Sequence, residues 1–268
     1  NNMEKKDKKK FTIFGFSIWR ILAYFIIYSV VGFIIETTFG AITKGVIESR
    51  QSFLYGPFCA IYGVGAIVMI LSLQYFNQNT NRLFIGGFIV GTITEYVISL
   101  IGELVFNVKW WDYSNMPLNI GGRVCVYFSI FWGLLAIYLM SYFNPKIDKL
   151  INYIKSKISV NTLKILTAGM IILLFLDFAV TGYALKLFVI RKVHEYDLNI
   201  ENKEVSEILY EKIYSNENYV KMINKFFGDK KMIRTFPNLK IQDANGDMIY
   251  FDTLVGDIQP YYYKFSFY

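Results

Sequence analysis

The sequence predicts an all-α polytopic membrane protein of about five transmembrane helices, followed by a small α+β extramembrane region at the C-terminus. Of its 268 residues, 54% are hydrophobic and 18% are aromatic, a composition that soluble domains of this length rarely have. Several apolar runs are long enough to cross about 30 Å of hydrocarbon. The last third of the chain has a different, mixed composition, which predicts the extramembrane region.

Five apolar segments are interpreted as membrane-spanning helices. No small-residue cleavage site follows the first segment, so it is read as a span and not as a signal peptide. Pro57 falls in the first turn of the second span, where its missing N–H costs nothing. The predicted bounds of the spans are 18–40, 57–75, 83–106, 124–143 and 165–190.

The lysines predict the orientation of the chain. The run KKDKKK precedes the first span, and the loop at 144–161 carries four lysines against the single acid Asp148. Because short cytoplasmic loops are enriched in lysine and arginine, both regions are expected in the cytoplasm. The loops at 41–56 and 107–123 then face outward. The predicted location is the plasma membrane of a bacterium.

Three domains follow from these readings. Residues 1–16 form a basic cytoplasmic tail, 17–190 the transmembrane domain and 191–268 an extracytoplasmic cap. The cap holds 11 Lys+Arg and 12 Asp+Glu, a net charge of −1, so residues 1–190 carry a net charge of +8 and account for the total of +7.

Two patterns predict the α+β character of the cap. NKEVSEILYEKIY places four apolar residues on one helical face, namely Val205, Ile208, Leu209 and Ile213. NLKIQDANGDMIYF alternates around an Asn-Gly pair, which predicts a β-hairpin. DANGD resembles a calcium loop, but Met248 stands where that loop needs glycine, so the hairpin is preferred.

Polar residues in or beside the spans are the candidate functional residues. A charge at the centre of a membrane helix costs at least about 2.5 kcal/mol and needs a partner or a cavity. Two interpretations stay open: ion pairs that fix helix packing, or a polar cavity open to the outer face that binds a substrate or a proton. The candidates are Glu36, Arg50, Glu95, Glu103, Asp112, Asn119, Arg123 and Asp177.

The stretch VKWWDYSNMPLNIGGR precedes the fourth span. Its aromatic residues Trp110, Trp111 and Tyr113 fit an interfacial belt that anchors the loop at the membrane surface. Its glycines and Arg123 mark a helix start, which suits either an anion site or close helix packing.

Recognisable catalytic and cofactor motifs are missing from the sequence. It contains no G-x-x-x-x-G-K-[ST], G-x-S-x-G or H-E-x-x-H pattern. Cys59 and Cys125 lie in apolar surroundings and are read as packing residues, and His194 has no Cys or His neighbour. We therefore expect no cofactor, no metal and no catalytic residue, and the lone basic run gives no support for nucleic-acid binding.

Several motifs occur in the order found in one family. ETTFG, SFLYGPFCAIYGVG, TEYVISLIGELVF and WWDYSNMPLNIGGRVCVYFSIFWG resemble the type IV ABC-transporter permease family, the CmpB-like bacterial membrane proteins. The resemblance covers roughly 20–140. It implies a permease-like membrane subunit whose ATPase is a separate chain.

Three functions remain open at this stage. The first is a transport protein with a polar, outward-facing cavity. The second is a lipid-handling protein or enzyme that acts on an anionic head group of the outer leaflet, and the third is a membrane scaffold or sensor. The expected partners are the lipid bilayer, a separate ATPase subunit and further copies of the same chain.

Overall fold

The computed structural model describes residues 12–76, 79–106 and 108–265, and its framework is a set of apolar helices. Within this part of the chain, four helices are long and apolar enough to cross a membrane, and a fifth apolar helix is shorter. The helices of this framework are α1 (Ile18–Lys44), α2 (Ala60–Leu73), α3 (Thr80–Phe106), α4 (Val126–Tyr138), α5 (Asn144–Lys157) and α6 (Val160–Glu195).

The predicted fold class is confirmed, and the five predicted spans correspond to α1, α2, α3, α4 and α6. The shorter helix is α2, which a 3-10 turn extends to Phe76. Helix α4 continues through the π-helical turn Leu139–Phe143 into α5. The sequence analysis reads residues 144–157 as part of a loop. They are helical because Ile147 and Ile151 recur at helical spacing and are buried.

Local signals in the sequence define the ends of the long helices. Ser17 caps α1, because its Oγ accepts a hydrogen bond from the backbone N–H of Arg20 at 3.3 Å. Gly45 ends α1 in the left-handed conformation, with φ at 66°. Ser159 caps α6 in the same way as Ser17, through the N–H of Thr162 at 3.1 Å. The chain turns sharply at these points.

Helices α1 to α4 pack in sequence order, each against the next. Their shared core contains Tyr24, Met69, Leu83 and Trp132. Arg20 at the start of α1 forms an ion pair with Asp148 of α5 at 2.9 Å. The start of α1 and α5 therefore lie at the same end of the bundle.

Helices α2 and α4 begin part-way along their neighbours. The N–H of Cys59 donates to the carbonyl of Ser29 at 2.8 Å, so about 15 residues of α1, roughly 22 Å, extend beyond that level. Thr92 of α3 similarly bonds to Ser129 of α4 at 2.7 Å. The connection 45–59 is here named loop A, and the connection 108–125 is named loop B. Both therefore run beside the ends of α1 and α3 that extend beyond the starts of α2 and α4.

The C-terminal cap is built around the end of α6. Four helices surround it, with a core that includes Phe188, Ile223, Met232 and Phe251. The predicted helix in NKEVSEILYEKIY is confirmed as the first of them, although Ile208 on its apolar face is 66% exposed. The four are α7 (Lys203–Tyr214), α8 (Glu217–Phe227), α9 (Asp229–Thr235) and α10 (Phe251–Leu254).

Short antiparallel strand pairs complete the fold. The predicted hairpin is confirmed, with Ile241 opposite Ile249. A second pair joins loop A to the end of the cap, with Ile47 opposite Tyr263. The pairs are β1 (Thr12–Ile13) with β2 (Phe16–Ser17), β3 (Val46–Glu48) with β6 (Tyr261–Lys264), and β4 (Lys240–Gln242) with β5 (Met248–Tyr250).

Two connections hold the cap against the loops. Pairing of β3 with β6 holds loop A, and reciprocal backbone hydrogen bonds of 2.7 and 3.1 Å join Lys109 of loop B to Lys240 of β4. The basic run of the predicted 1–16 tail lies outside the described residues. The three domain boundaries remain predictions.

Candidate functional site

Glu95 on α3 is a carboxylate enclosed by aromatic hydrogen-bond donors. Only 4% of its surface is exposed. Its Oε1 accepts a hydrogen bond from the Tyr113 hydroxyl at 3.0 Å, and its Oε2 accepts one from the Trp132 indole N–H at 3.1 Å. None of the ion pairs that the described residues form includes Glu95. A buried carboxylate therefore has two neutral donors and no cationic partner in this part of the chain.

Tyr113 reaches Glu95 from loop B. Its ring stacks on Phe128 of α4 with centroids 4.6 Å apart, and its backbone N–H donates to the carbonyl of Gly122 at 2.8 Å. Burial raises the pKa of the Tyr113 phenol above its ordinary value, and the negative charge of Glu95 raises it further. The phenol therefore stays protonated at neutral pH and acts as a donor.

Asp112 and Asn119 shape loop B. The Asp112 carboxylate accepts bonds from the backbone N–H and hydroxyl of Ser114, at 3.1 and 2.6 Å. Asn119 donates to the carbonyl of Met116 at 2.9 Å and accepts from the N–H of Gly122 at 3.1 Å. These bonds form local turns of the kind that Asx residues stabilise, and they hold Tyr113 in place.

Glu36 on α1 is a second carboxylate that accepts a hydrogen bond from a tyrosine, close to the Glu95 site. The Tyr62 hydroxyl of α2 donates to Glu36 at 2.7 Å, and the Tyr62 ring lies 6.0 Å from that of Trp132. Arg50 of loop A approaches Glu36 to 4.0 Å but binds Glu48 more closely, at 2.7 Å. We name Glu36, Tyr62, Glu95, Tyr113 and Trp132 the polar centre.

Glu103 and Arg123 form an ion pair. Lys109 lies 3.8 Å from the same carboxylate, and Arg123 also donates to the hydroxyl of Ser99 at 3.3 Å. The carbonyl of Arg123 accepts the Trp111 indole N–H at 2.9 Å. This cluster joins loop B to α3. It shares no hydrogen bond or ion pair with Glu95 among the described residues.

Asp177 on α6 binds loop A. Its carboxylate accepts from the backbone N–H of Tyr55 at 3.2 Å and from the Thr181 hydroxyl at 3.3 Å. The Thr181 oxygen in turn accepts from the N–H of Leu54 at 2.8 Å. Asp177 therefore joins loop A to α6, and its bonds do not reach the polar centre.

Trp110 packs where loop B meets the cap. It is half-buried against the cap core, and its ring fills the space that a side chain at Gly102 would need. The Trp111 indole N–H donates to the carbonyl of Arg123 within loop B, and Tyr113 points into the bundle. The interfacial anchoring of these three aromatic residues remains a prediction.

An apolar cavity of about 80 Å³ adjoins the polar centre. It lies between α1, α2 and α4, and Tyr62 and Trp132 form part of its wall. The other lining residues are apolar or aromatic and include Val31, Ala66 and Leu135. The site thus combines a buried carboxylate with an adjacent apolar space.

The sequence analysis did not identify Tyr62 and Trp132 as site residues, although both bind a carboxylate in the bundle. Both are aromatic residues with a hydrogen-bond donor inside an apolar span. This feature could have identified them, because a buried carboxylate needs hydrogen-bond donors nearby. Chemically, the polar centre can bind a proton or a cationic group, because the Glu95 carboxyl group is buried without a cationic partner among the described residues. No cluster of three or more His, Cys, Asp or Glu that could hold a metal occurs within the described ranges.

Comparison with known proteins identifies one family. A family model, ABC_trans_CmpB, described as "Putative ABC-transporter type IV", matches residues 23–182. This range contains α1 from Ala23 onward, α2 to α5, and α6 as far as Gly182, and so includes the whole polar centre. No curated protein and no solved structure matches the chain.

Proposed function

This chain belongs to the CmpB family of type IV ABC-transporter-like membrane proteins, and from that premise we propose that it is a permease-like transport subunit. Its long apolar helices can supply a membrane domain. The sequence has no P-loop, so ATP hydrolysis would take place on a separate chain. The polar centre is then the site where the substrate or a coupled proton binds.

The observation that carries this proposal is the burial of the Glu95 carboxyl group in α3 without a cationic partner among the described residues. Ionisable groups inside a membrane domain are costly and pair with one another or serve a transport pathway. Glu95 is enclosed by the neutral donors Tyr113 and Trp132, which orient its carboxyl group. Either a proton on Glu95 or a cationic group of the substrate would make the site electrically neutral.

The two loops offer a route to this site. Loop B carries Tyr113 and loop A carries Arg50, and both lie on the side of the bundle that the cap covers. We propose that this side is extracytoplasmic, in keeping with the lysines of α5 at the opposite end. Movement of loop B would then uncover Glu95 to the outer face.

Helix α5 is the proposed contact for an ATPase subunit. Ile147 and Ile151 face the bundle, whereas Lys146, Leu150 and Tyr153 are exposed at the proposed cytoplasmic end. An amphipathic helix with an exposed apolar and basic face can transmit movement from a partner chain. Co-purification of the tagged full-length chain with a P-loop protein tests this contact. Leu150→Asp should abolish it, and a stable, active protein with no such partner would overturn the ABC assignment.

The role of Glu95 is tested by Glu95→Gln, which is nearly isosteric but carries no charge. We expect cells with Glu95→Gln to match a deletion strain in their intracellular and extracellular small-molecule pools. Glu207→Gln on the cap surface is the matched control and should resemble the unmodified strain. If Glu95→Gln also resembled the unmodified strain, the polar centre would have no part in transport.

The apolar cavity favours a second candidate function, the handling of a lipid. An acyl chain could occupy the space beside Val31 and Ala66 while its polar end met Tyr62 and Glu36. Ala66→Phe would fill the cavity and leave the polar centre intact. A change in the lipid composition of the outer leaflet with Ala66→Phe would favour lipid handling, and an unchanged lipid composition would count against it.

A further inference from the structure

A basic groove lies where the cap meets loop A. It has a volume of about 580 Å³ and runs between Gln51 and Leu54 of loop A and the helices α8 and α9. The cationic residues that line it are Lys225, Lys230, Lys231 and Arg234. The groove is separate from the polar centre, and none of the functions considered so far uses it.

The acidic residue that lines the groove does not neutralise the positive charge of the groove. Asp229 is the acidic residue among the lining side chains, and its two oxygens already bind Arg191 and Lys192 in the interior of the cap. None of the ion pairs formed by the described residues includes a groove cation. The groove therefore suits an anion.

The structure also fixes the level of the groove along α6. Lys231 lies 4.0 Å above the ring of Tyr55, whose backbone N–H binds Asp177 of α6. Asp177 is 17 residues after Val160, the first residue of α6, which is a rise of about 26 Å along the helix. The groove therefore lies beside a helix that is long and apolar enough to cross a membrane.

Exposed apolar side chains flank the cations. Met222 and Phe226 of α8 are 36% and 45% exposed, and Tyr55 is 47% exposed. Lys225 lies between these two apolar residues of α8 in the sequence, and its ammonium is 5.4 Å from the Phe226 ring. Lysine beside exposed Phe and Met is the composition of a surface that lies in the membrane interface.

We propose that the basic groove binds the phosphate of an anionic lipid head group from the surrounding bilayer. The phosphate oxygens would be bound by Lys225, Lys230 and Lys231. The apolar part of the same lipid would contact Phe226 and Met222. Each lysine near an anionic membrane surface strengthens binding, and several act together. Such binding would hold the cap against the membrane beside loop A.

The test uses the full-length protein in detergent, titrated with short-chain phosphatidylglycerol and, separately, with phosphatidylcholine. Bound lipid is counted by native mass spectrometry. We expect preferential binding of phosphatidylglycerol, and a loss of roughly tenfold or more in its affinity when Lys225, Lys230 and Lys231 are all changed to Gln. The triple variant keeps Arg234, which also donates to the carbonyl of Gln259.

A charge-matched control separates the groove from general electrostatic attraction. Lys186 of α6 and the α7 residues Lys203 and Lys212 lie outside the groove, and their combined change to Gln should leave lipid binding intact. Circular dichroism and size-exclusion profiles verify that both triple variants are folded. Equal loss of binding in the two variants would overturn the proposal. So would competition by inorganic phosphate at the same affinity, because the ligand would then be a soluble anion.

Discussion

The indole N–H of Trp132 on α4 donates a hydrogen bond to Glu95 on α3 across 3.1 Å. The two helices approach closely because Gly91 leaves room for the Trp132 ring. The packing of α3 against α4 and the hydrogen bonding of the Glu95 carboxylate thus both depend on Trp132. The residue that fills the space between α3 and α4 also orients the buried carboxylate, so a change in helix packing would alter the environment of Glu95.

Trp132→Phe should lower the free energy of unfolding without preventing the protein from folding. The phenyl ring keeps most of the packing, but Glu95 loses one of its two donors in a buried setting. Removal of one partner of a buried charged group costs about 2 kcal/mol. The measurement is denaturant unfolding in detergent micelles, followed by circular dichroism.

Tyr138→Phe is the control for this change, because that side chain is 54% exposed. It should leave the free energy of unfolding nearly unchanged. If Trp132→Phe were equally neutral, the hydrogen bond to Glu95 would not contribute to stability.

The sequence predicts the helices of the membrane domain well because long apolar runs have few alternative structures. It predicts the partners of Glu95 poorly. Tyr113 and Trp132 lie 18 and 37 residues away in the chain, and no local pattern connects either of them to a carboxylate on α3. Glu103 and Arg123 were both among the candidate residues, and the structure pairs them.

The roles of Asp112 and Asp177 show a further limit of sequence reasoning. Asp112 was predicted to lie in an outer loop and Asp177 within the fifth span, and both were candidate residues of a polar cavity. Asp112 instead binds its own loop through Ser114, and Asp177 binds the backbone of loop A. A nearby unsatisfied backbone N–H competes with a distant charge for a carboxylate, and hydropathy contains no information about that competition. The end of α6 was also predicted too early, because its last turns are buried by the cap and not by lipid.

Gly87→Ala should destabilise the contact between α3 and α4. A Cβ at this position would collide with the Ala136 side chain and lie 3.0 Å from the carbonyl oxygen of Trp132. Backbone on the facing helix cannot move aside cheaply, so we expect a loss of about 2 kcal/mol. The melting temperature of the protein in micelles measures the effect.

Gly169→Ala on α6 is the matched comparison. Nothing lies within 4 Å of a Cβ at Gly169, so the substitution meets no obstacle. Alanine is the better helix former by up to about 1 kcal/mol, which predicts an equal or higher melting temperature. A similar loss in both variants would show that α3 and α4 do not depend on the close approach at Gly87.

Asp229→Asn should destabilise the cap, and the effect should be present only above about pH 4. Burial disfavours the charge of Asp229, but the hydrogen bond from Lys192 and the charge of Arg191 outweigh it and hold its pKa below the ordinary carboxyl value. The ionised form is thus favoured by folding, so its contribution is present above about pH 4 and is lost as the pH falls through the lowered pKa.

We expect Asp229→Asn to cost about 3 kcal/mol at neutral pH, at the low end for a buried pair because the side chain keeps 30% exposure. Hydrogen exchange of the cap amides measures this, and the difference from the unmodified protein should shrink below pH 4. Lys203→Gln removes the exposed pair with Asp197 and should have no measurable effect. A loss for Asp229→Asn that persisted unchanged at low pH would contradict the ion-pair explanation.

Exchange of Glu103 and Arg123 distinguishes a structural pair from a functional one. Glu103→Arg places three cations together, because Lys109 lies 3.8 Å from Glu103 in the unmodified protein, and Arg123→Glu places two carboxylates together. Each single change should therefore reduce the yield of folded protein from membranes. The double exchange restores opposite charges and should recover most of that yield, although Arg123 gives up its bond to Ser99. Recovery of folding with lost transport would assign the pair a role in substrate binding, whereas a double variant as unstable as the single variants would contradict the ion pair itself.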